Sequence, residues 1–313
     1  MGSYDLAVIG GPTASGKSAA SIALAKRLNG EVISADSMQV YRHMDIGSAK
    51  ICTDEMQGIP HHLIDILDPT EEFNVSIFKS LAEEAVQDIV QKNSFPIICG
   101  GTGFYIQSLL YGIDFREGET DQKIREKYER LAGSEGLAAL EERLMKVDPV
   151  SAKTYHGNKK RLIRALEYLE LTGEKLSEKN ARQRAQESVY KAAYFVLTMP
   201  RELLYERIDK RVDLMMENGL LEEVKALKGM GVKRDMTSMQ GLGYRQIYDH
   251  LSGVYDLDTA VEEIKKQTRH FAKRQMTWYR REKNIIFIDV TEFGDTDSPV
   301  ERIADHMRDI ING

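Results

Sequence analysis

The segment GPTASGKS, at residues 11 to 18, has the residue types and the spacing to hold a phosphate group. Gly11 and Gly16 let the backbone curl so that successive N–H groups point at one centre, and Lys17 adds a positive charge. Ser18 offers a hydroxyl to Mg²⁺. An apolar run precedes the segment and a helical pattern follows it, which places the anion at a helix N-terminus. The segment therefore predicts a diphosphate or triphosphate site, against the alternative of a Gly/Ser turn without a ligand.

A second polar cluster follows the next apolar run, in ISADSMQVYR. The run ends in Asp36, and Ser37 and Gln39 come directly after it. A carboxylate at the end of a strand beside the phosphate loop can accept a proton or hold a water bound to Mg²⁺. The alternative is that Asp36 only caps the helix that follows.

The features with which P-loop enzymes split ATP are missing. Such enzymes add a carboxylate for Mg²⁺ after another strand and a residue that orients the attacking water. Here PIICGGTGFY ends in small residues with one hydroxyl, that of Thr102. Such a turn suits the close approach of a ligand, or else only tight packing. Further cationic candidates are Arg125, Arg207 and Arg211, of which the last two share a helix face; the alternative for each is a solvated surface position.

Alternating strands and helices must position these residues. We predict strands at 5–10, 31–36, 62–67 and 95–101, separated mostly by helical patterns. This order predicts an α/β fold with a parallel, doubly wound sheet that binds ligands at the carboxyl ends of its strands. Amphipathic helices then dominate until strands return at 194–199 and 285–290. The predicted organisation is a core of residues 1–115 and 191–313, with a helical insertion domain at 116–190.

Composition places the chain among ordinary globular proteins, with 42% hydrophobic and 29% charged residues. Two distant cysteines disfavour a zinc site or a disulfide scaffold, and they fit a reducing cytosol. No apolar run suggests secretion or a membrane span. The net charge of −6 argues against a nucleic-acid partner, yet eight of the residues from 265 to 283 are Lys or Arg and one is acidic. An acidic protein can carry a basic groove of this kind.

Six segments, in order along the whole chain, together resemble the bacterial tRNA dimethylallyltransferases, also called tRNA isopentenyltransferases. They are GPTASGKS (11–18), DSMQVYR (36–42), GGTGFY (100–105), KRLIRALE (160–167), GLGYRQ (241–246) and KRQMTWYR (273–280). The resemblance implies a P-loop NTPase-like core, Mg²⁺ as cofactor, and a cytoplasmic monomer. The implied reaction moves the dimethylallyl group of dimethylallyl diphosphate to N6 of the adenosine beside the anticodon of a tRNA. Because no water is activated, the missing ATPase features are explained.

The resemblance also implies roles for individual residues. Asp36 is expected to be the general base, Lys17 to stabilise the departing diphosphate, and Thr102 and Arg125 to lie at the reaction centre, with Ser18 on the metal. The expected diphosphate-binding residues are Gly11, Pro12, Thr13, Ala14, Ser15, Gly16, Lys17, Ser18 and Arg211. The expected tRNA-binding residues are Asp36, Ser37, Met38, Gln39, Lys160, Arg161, Arg164, Arg245, Lys273, Arg274 and Arg280.

On the last long helix, the basic residues Lys266, Arg269, Lys273 and Arg280 are expected to share an RNA-binding face. A solvated helix face without a ligand is the alternative. Ile264, Phe271 and Trp278 fall on another face, which we assign to core packing in preference to base stacking.

Three other functions stay open on the sequence. A P-loop kinase of a small hydroxylated metabolite would use the same loop with ATP. An adenylate isopentenyltransferase would prenylate a free nucleotide instead of tRNA. A non-enzymatic RNA-binding module would need the basic segments alone.

Overall fold

Six parallel strands form the central sheet of this protein, whose computed structural model describes residues 4–113, 121–294 and 299–313. The strands are β1 (Leu6–Gly10), β2 (Gly30–Ser34), β3 (His61–His62), β4 (Phe95–Cys99), β5 (Ala192–Thr198) and β6 (Ile285–Asp289). Their order in the sheet is β3-β2-β4-β1-β5-β6, and every pair is parallel. The predicted α/β fold with a parallel sheet is confirmed.

Burial on both faces explains why the central strands read as unbroken apolar runs. All five residues of β1 are buried, and helices cover both sides of the sheet. One side is covered by the first helix and the last, where Leu24 packs in the same apolar cluster as Ile303 and Met307. The strand β1 has β4 on one side and β5 on the other. Its carboxyl end is therefore a position where doubly wound sheets bind ligands.

Fourteen α-helices, numbered in chain order, lie within the described ranges. The helices that accompany the sheet are α1 (Lys17–Leu28), α2 (Thr53–Met56), α3 (Val75–Gln91), α4 (Gly103–Leu110), α10 (Arg201–Glu217), α11 (Leu220–Gly229), α12 (Tyr244–Leu251), α13 (Leu257–Tyr279) and α14 (Pro299–Asn312). Short 3₁₀ helices span Ser238–Gln240 and Val290–Phe293. The other five are α5 (Gln122–Ser134), α6 (Leu137–Val147), α7 (Pro149–Thr154), α8 (Lys159–Thr172) and α9 (Leu176–Ala185). None of the described helices is long and apolar enough to cross a lipid bilayer.

The chain divides into two compact units. One contains Met1–Leu110 together with Tyr190–Gly313, and the other contains Tyr111–Val189. The predicted boundary between residues 115 and 116 lies outside the described residues. The second unit consists of helices α5 to α9, and α5, α6 and α8 bury a core that includes Tyr128, Leu140 and Leu162.

The predicted strand at 62–67 is wrong for most of its length. Only His61 and His62 pair with β2. Leu63 and Asp65 adopt positive φ angles of 63° and 55°, which interrupt an extended chain. The N–H groups of the next two residues then donate to the carbonyl of Val40, so the apolar run packs on the loop after β2 instead of extending the sheet.

Candidate active site

Three turns at the carboxyl edge of the sheet bring together most of the candidate residues of the sheet unit. Strand β4 lies between β1 and β2, so the turns that follow these strands are neighbours. The N–H of Gly100 donates to the carbonyl of Ile9 at 3.2 Å, and the N–H of Ala35 donates to that of Cys99 at 2.8 Å. The phosphate loop after β1, Asp36 after β2 and Thr102 after β4 therefore emerge side by side.

The loop from residue 11 to residue 18 has a backbone that forms an anion nest. Gly11, Ala14 and Gly16 have φ angles of 145°, 64° and 89°. A Cβ on Gly11 would lie 2.8 Å from the carbonyl oxygen of Leu197, so no side chain fits there. Helix α1 begins directly after the loop without a side-chain cap. Its first N–H groups are therefore available to a bound anion.

Lys17 is folded back onto its own loop. Its Nζ donates to the carbonyl of Pro12 at 2.7 Å. Burial, opposed by Cys99 and Asp36 and assisted by the charge of Arg211, lowers the pKa of Lys17 to about 8. A polyanion bound beside the amine would raise this pKa and favour the charged form. The amine is thus placed to respond to a diphosphate.

Asp36 both shapes its turn and keeps an oxygen available. Its Oδ1 accepts the N–H of Met38 at 2.8 Å and that of Gln39 at 3.4 Å. No helix follows directly, so Asp36 supports a turn and is not a helix cap. Within the part of the chain that the structure describes, Oδ2 accepts no hydrogen bond. One carboxylate oxygen is therefore fixed and the other can accept a proton.

Arg211 is the arginine of α10 that faces this site. Burial lowers its pKa and the charge of Asp36 raises it, so the two groups lie within electrostatic range. Arg207, one turn earlier, is exposed. The predicted pair therefore separates into one arginine at the site and one at the surface.

The turn after β4 is shaped by protein atoms. A Cβ on Gly100 would lie 2.4 Å from the carbonyl oxygen of Ala35, and a Cβ on Gly103 would lie 2.3 Å from the Trp278 ring. Gly100 and Gly103 thus serve tight packing, the alternative that the sequence left open for this turn. Thr102 donates its N–H to the carbonyl of Ala35 at 3.3 Å, which ties its hydroxyl-bearing turn to the turn of Asp36.

Gln275, for which the sequence predicted no role, joins two of these turns. Its Oε1 accepts the N–H of Thr13 at 3.0 Å, and its Nε2 donates to the carbonyl of Gly101 at 2.9 Å. One turn later Tyr279 donates to the carbonyl of Gly100 at 3.2 Å. Ala272, Gln275 and Tyr279 are buried at helical spacing, and a polar residue within this apolar periodicity was the available signal.

A magnesium ion would find few ligands on the protein itself. Within the described ranges, no group of three or more His, Cys, Asp or Glu side chains could hold a metal. The hydroxyl of Ser18 is exposed at the start of α1 and makes no hydrogen bond to the described residues. Mg²⁺ usually takes one or two protein ligands and completes its shell with phosphate oxygens and water. Ser18 and the available oxygen of Asp36 fit such an ion.

The basic residues of α13 fall into two groups. Lys266 pairs with Glu263 at 2.7 Å, and Arg269 pairs with Asp209 at 2.6 Å. Further along, Lys273, Arg274 and Arg280 are exposed and form no ion pair with any residue that the structure describes. The expected common face is therefore neutralised in its first half and carries uncompensated charge in its second half. Of the three residues assigned to core packing, Ile264 is buried, Phe271 is half-buried, and Trp278 packs against Gly103.

The GLGYRQ segment supports the loop that begins at Asp36. Tyr244 donates to Glu223 at 2.7 Å, and Glu223 accepts the N–H groups of Ile46 and Gly47 at 2.7 and 3.0 Å. A Cβ on Gly241 would lie 2.8 Å from the sulfur of Met38. Glu223 is a second functional support that the sequence motifs did not reveal.

Arg245 lies away from these contacts, in an open groove of about 420 Å³ between α12 and α13. The groove is lined by polar and acidic side chains, including Asp249 and Glu263. Both carboxylates are engaged elsewhere, by Arg234 and Lys266. Arg245 is therefore the uncompensated cation of this surface.

A buried carboxylate organises the arginines of the helical unit. Glu167 is fully buried, and it pairs with Arg125 at 3.1 Å and with Arg164 at 3.5 Å. Its other oxygen accepts the N–H of Asp121 at 3.0 Å. Lys160 and Arg161 are exposed on the first turn of α8. Glu167 was not predicted, although it belongs to the KRLIRALE segment.

Comparison with known proteins gives one consistent result. Residues 39–282 match the IPP transferase family. The chain is 53% identical over 289 residues to a curated tRNA dimethylallyltransferase of Lachnoclostridium phytofermentans, which covers 92% of each chain.

Solved structures agree with this match. The full-length tRNA isopentenylpyrophosphate transferase of Bacillus halodurans is 42% identical, with a TM-score of 0.74 over 98% of this chain and 96% of its own. The tRNA delta(2)-isopentenylpyrophosphate transferase of Staphylococcus epidermidis is 42% identical, with a TM-score of 0.71 over 98% of both chains. A eukaryotic dimethylallyltransferase acting on tRNA is 32% identical, with a TM-score of 0.80 over 96% of this chain and 77% of its own. The protein therefore belongs to the IPP transferase family.

Proposed function

We propose that the protein transfers the dimethylallyl group of dimethylallyl diphosphate to N6 of the adenosine adjacent to the anticodon in tRNAs, releasing diphosphate. The observation that carries the proposal is the pairing of two neighbouring turns: an anion nest with Lys17, and Asp36 with one free carboxylate oxygen. A prenyl transfer needs a stabilised diphosphate and a base, but no activated water. The site has the first two, and its sequence has no residue placed to orient a water as ATPases do.

The diphosphate is the leaving group, so charge builds on its oxygens as the bond to the allylic carbon breaks. The amides from Ala14 to Ser18 and the amine of Lys17 stabilise this charge. Lys17 exchanges its bond with the Pro12 carbonyl for a phosphate oxygen. Arg211 adds a second cation, and it lies close enough to Asp36 for their charges to interact. Thr102 and Arg125 complete the expected reaction centre.

The acceptor is a weak nucleophile, because the exocyclic amine of adenine shares its lone pair with the ring. The nitrogen forms a bond to the allylic carbon while the carbon–oxygen bond to the diphosphate breaks. The proton of the amine goes to Oδ2 of Asp36, whose Oδ1 stays fixed by the turn. Alignment and proton removal then both favour transfer.

Mg²⁺ is the cofactor we assign to this reaction. Bound to the diphosphate, it would neutralise developing charge as a Lewis acid. On the protein, the hydroxyl of Ser18 is the group placed to hold it, and Oδ2 of Asp36 is left to accept the proton.

The tRNA is bound through its phosphates and through an extruded base. The adenosine must leave its stack to reach the turns of the sheet, where Ser37, Met38 and Gln39 follow the general base. Phosphates are contacted by basic residues of both units. In the sheet unit these are Lys273 and Arg274 of α13, Arg280 directly after it, and Arg245 of the groove. In the helical unit they are Lys160, Arg161 and Arg164. Such contacts position an RNA without reading its sequence. We assign the protein to the cytoplasm as a monomer.

The decisive test supplies purified protein with labelled dimethylallyl diphosphate and unmodified tRNA. We expect label in N6-prenylated adenosine of the tRNA and an equal amount of diphosphate. Asp36→Asn should lower the rate of transfer by about 10²–10⁴, the usual contribution of a general base. Asp54→Asn, at an exposed position of α2, is the matched control with an unchanged rate.

Three results would overturn the proposal. Formation of ADP from ATP with small-molecule acceptors, without label in tRNA, indicates a kinase. Label in AMP in preference to tRNA indicates an adenylate isopentenyltransferase. Binding of tRNA without transfer of label indicates an RNA-binding module.

A further inference from the structure

We infer that Gln275 is a positioning residue for the transfer reaction, one that fixes the diphosphate loop to the turn of Thr102. The inference rests on the proposed function and concerns a residue that acts through the backbone of two turns. Its basis is a single buried amide that bonds two turns of the site at once.

Both halves of the Gln275 amide form hydrogen bonds, one as an acceptor and the other as a donor. The oxygen accepts the N–H of Thr13 at 3.0 Å, and the nitrogen donates to the carbonyl of Gly101 at 2.9 Å. The side chain is 6% exposed, so water cannot readily replace either bond. A glutamine amide supplies a donor and an acceptor on separate atoms, as this arrangement requires.

The two hydrogen bonds of Gln275 join segments that strand pairing does not hold together. Thr13 lies beyond the end of β1 and Gly101 beyond the end of β4, where the ladder between these strands has stopped. A Cβ on Gly101 would lie 2.3 Å from the Gln275 nitrogen, so the turn has closed tightly on the amide. Gln275 therefore sets the separation between the loop that holds the diphosphate and the turn that carries Thr102.

The same bond also limits the anion nest. Because the N–H of Thr13 is committed to Gln275, it is not available to a phosphate in this arrangement. The N–H of Ser15 is likewise bonded, to the carbonyl of Pro12 at 3.3 Å, and Ala14 between them turns the chain with a φ of 64°. Gln275 thus helps to decide which amides of the loop face the ligand.

The helix around Gln275 is fixed by two further contacts. Tyr279 donates to the carbonyl of Gly100 at 3.2 Å, and the Trp278 ring fills the space over Gly103. The amide therefore extends from a helix end that these contacts fix in place, and not from a loop. A displacement of about 1 Å between reacting groups can cost about 100-fold in rate, which gives such a support its importance.

The test compares Gln275→Met with the matched variant Gln246→Met. Gln246 is 3% exposed and its Oε1 also accepts a backbone N–H at 3.0 Å, that of Gly243, but this bond lies within one turn of chain and does not join two turns of the site. Two quantities are measured: the affinity for inorganic diphosphate by calorimetry, and the kinetics of prenyl transfer to tRNA. Thermal unfolding is followed for both variants.

We expect Q275M to weaken diphosphate binding about 10-fold, because losing about one hydrogen bond leaves the loop less well ordered for the anion. The kcat should fall about 10- to 100-fold. The KM for tRNA should stay unchanged. Q246M should lower the unfolding temperature without altering diphosphate affinity. Q275E keeps the acceptor for Thr13 in both protonation states, but only its protonated carboxyl can donate to the Gly101 carbonyl. Its defect should therefore be intermediate at a pH where the carboxyl is protonated and severe where it is ionised.

A merely structural role would lower the unfolding temperature of Q275M and leave diphosphate affinity and kcat as in the unaltered protein. That result overturns the inference. If Q275M does not fold, Q275E supplies the same measurements, because it keeps one of the two bonds. Failure of the proposed function is recognised separately, since the unaltered protein would then bind diphosphate without modifying tRNA, and the binding comparison would still test Gln275.

Discussion

Arg269 on α13 donates to both carboxylate oxygens of Asp209 on α10, at 2.6 Å from each. Lys265 and Asp213 form a parallel pair at 2.7 Å, so ion pairs on both sides of Arg211 hold α10 against α13. These cations are committed to the protein, so within α13 the charge that an RNA can use lies on Lys273 and Arg274, further along the helix.

The two groups of basic residues should differ in their effect on tRNA binding. Lys273→Ala and Arg280→Ala should each weaken tRNA affinity and reduce the salt dependence of binding by about one counterion, because each removes one phosphate contact. Arg269→Ala should lower thermal stability and leave the slope of log affinity against log salt unchanged. Titrations of tRNA at several salt concentrations measure the slopes. Equal slopes for all three variants would contradict the assignment.

The affinity for dimethylallyl diphosphate should depend on the charge of Lys17. Burial lowers the pKa of this lysine to about 8 in the free protein, so the amine is mostly charged at pH 7 and mostly neutral at pH 9. Since the anion binds to the charged form, affinity should fall as pH rises above about 8, by up to about 10-fold per pH unit. Calorimetry between pH 6.5 and 9.5 measures the change. Lys17→Met should bind weakly, and the fall above pH 8 should vanish.

Gly100, in the turn after β4, should not tolerate a methyl group. In Gly100→Ala the new carbon would lie 2.4 Å from a backbone oxygen, that of Ala35, so the free energy of unfolding should fall by about 1–3 kcal/mol. Gly229→Ala is the control, because nothing lies within 4 Å and the position is the last of α11. That variant should be neutral or stabilised by up to about 1 kcal/mol. Urea unfolding compares the two.

Glu167, the buried carboxylate of the helical unit, should affect the rate of prenyl transfer more than the affinity for diphosphate. Glu167→Gln keeps an acceptor for the N–H of Asp121 but removes the charge that holds Arg125 and Arg164. Both arginines are partly exposed, so the loss of stability should be about 1–2 kcal/mol and not the larger cost of a fully buried pair. We expect kcat to fall and diphosphate affinity to stay unchanged. Glu142→Gln, an exposed pair with Lys146, is the control for stability and rate.

Motifs with short spacing were predictable from the sequence, because each is fixed by local backbone geometry. The loop that ends in Lys17 and Ser18 and the strand β2 that precedes Asp36 are examples. The strand predicted around Leu63 failed, since apolar composition does not reveal a positive φ angle. The spacing along α13 could not reveal that Arg269 pairs with Asp209, because that carboxylate lies on a helix 60 residues earlier.

Supports that act across the chain were not predictable in the same way. Glu223 holds the loop after Asp36, and Glu167 holds arginines of its own unit. Gln275 reaches a loop 262 residues away. Apart from the pair of Glu167 with Arg164 on the same helix, the partners named here for these three side chains come from other segments of the chain.

The distance in sequence between Thr13 and Gln275 has a consequence for biosynthesis. A ribosome makes the anion loop among the first residues and its anchor among the last, so a nascent chain carries the loop unbraced through most of its translation. The competent reaction centre arises only when the end of α13 has left the exit tunnel and docked. Prematurely terminated chains that lack this helix should consequently accumulate as inactive products, however well their early strands have paired.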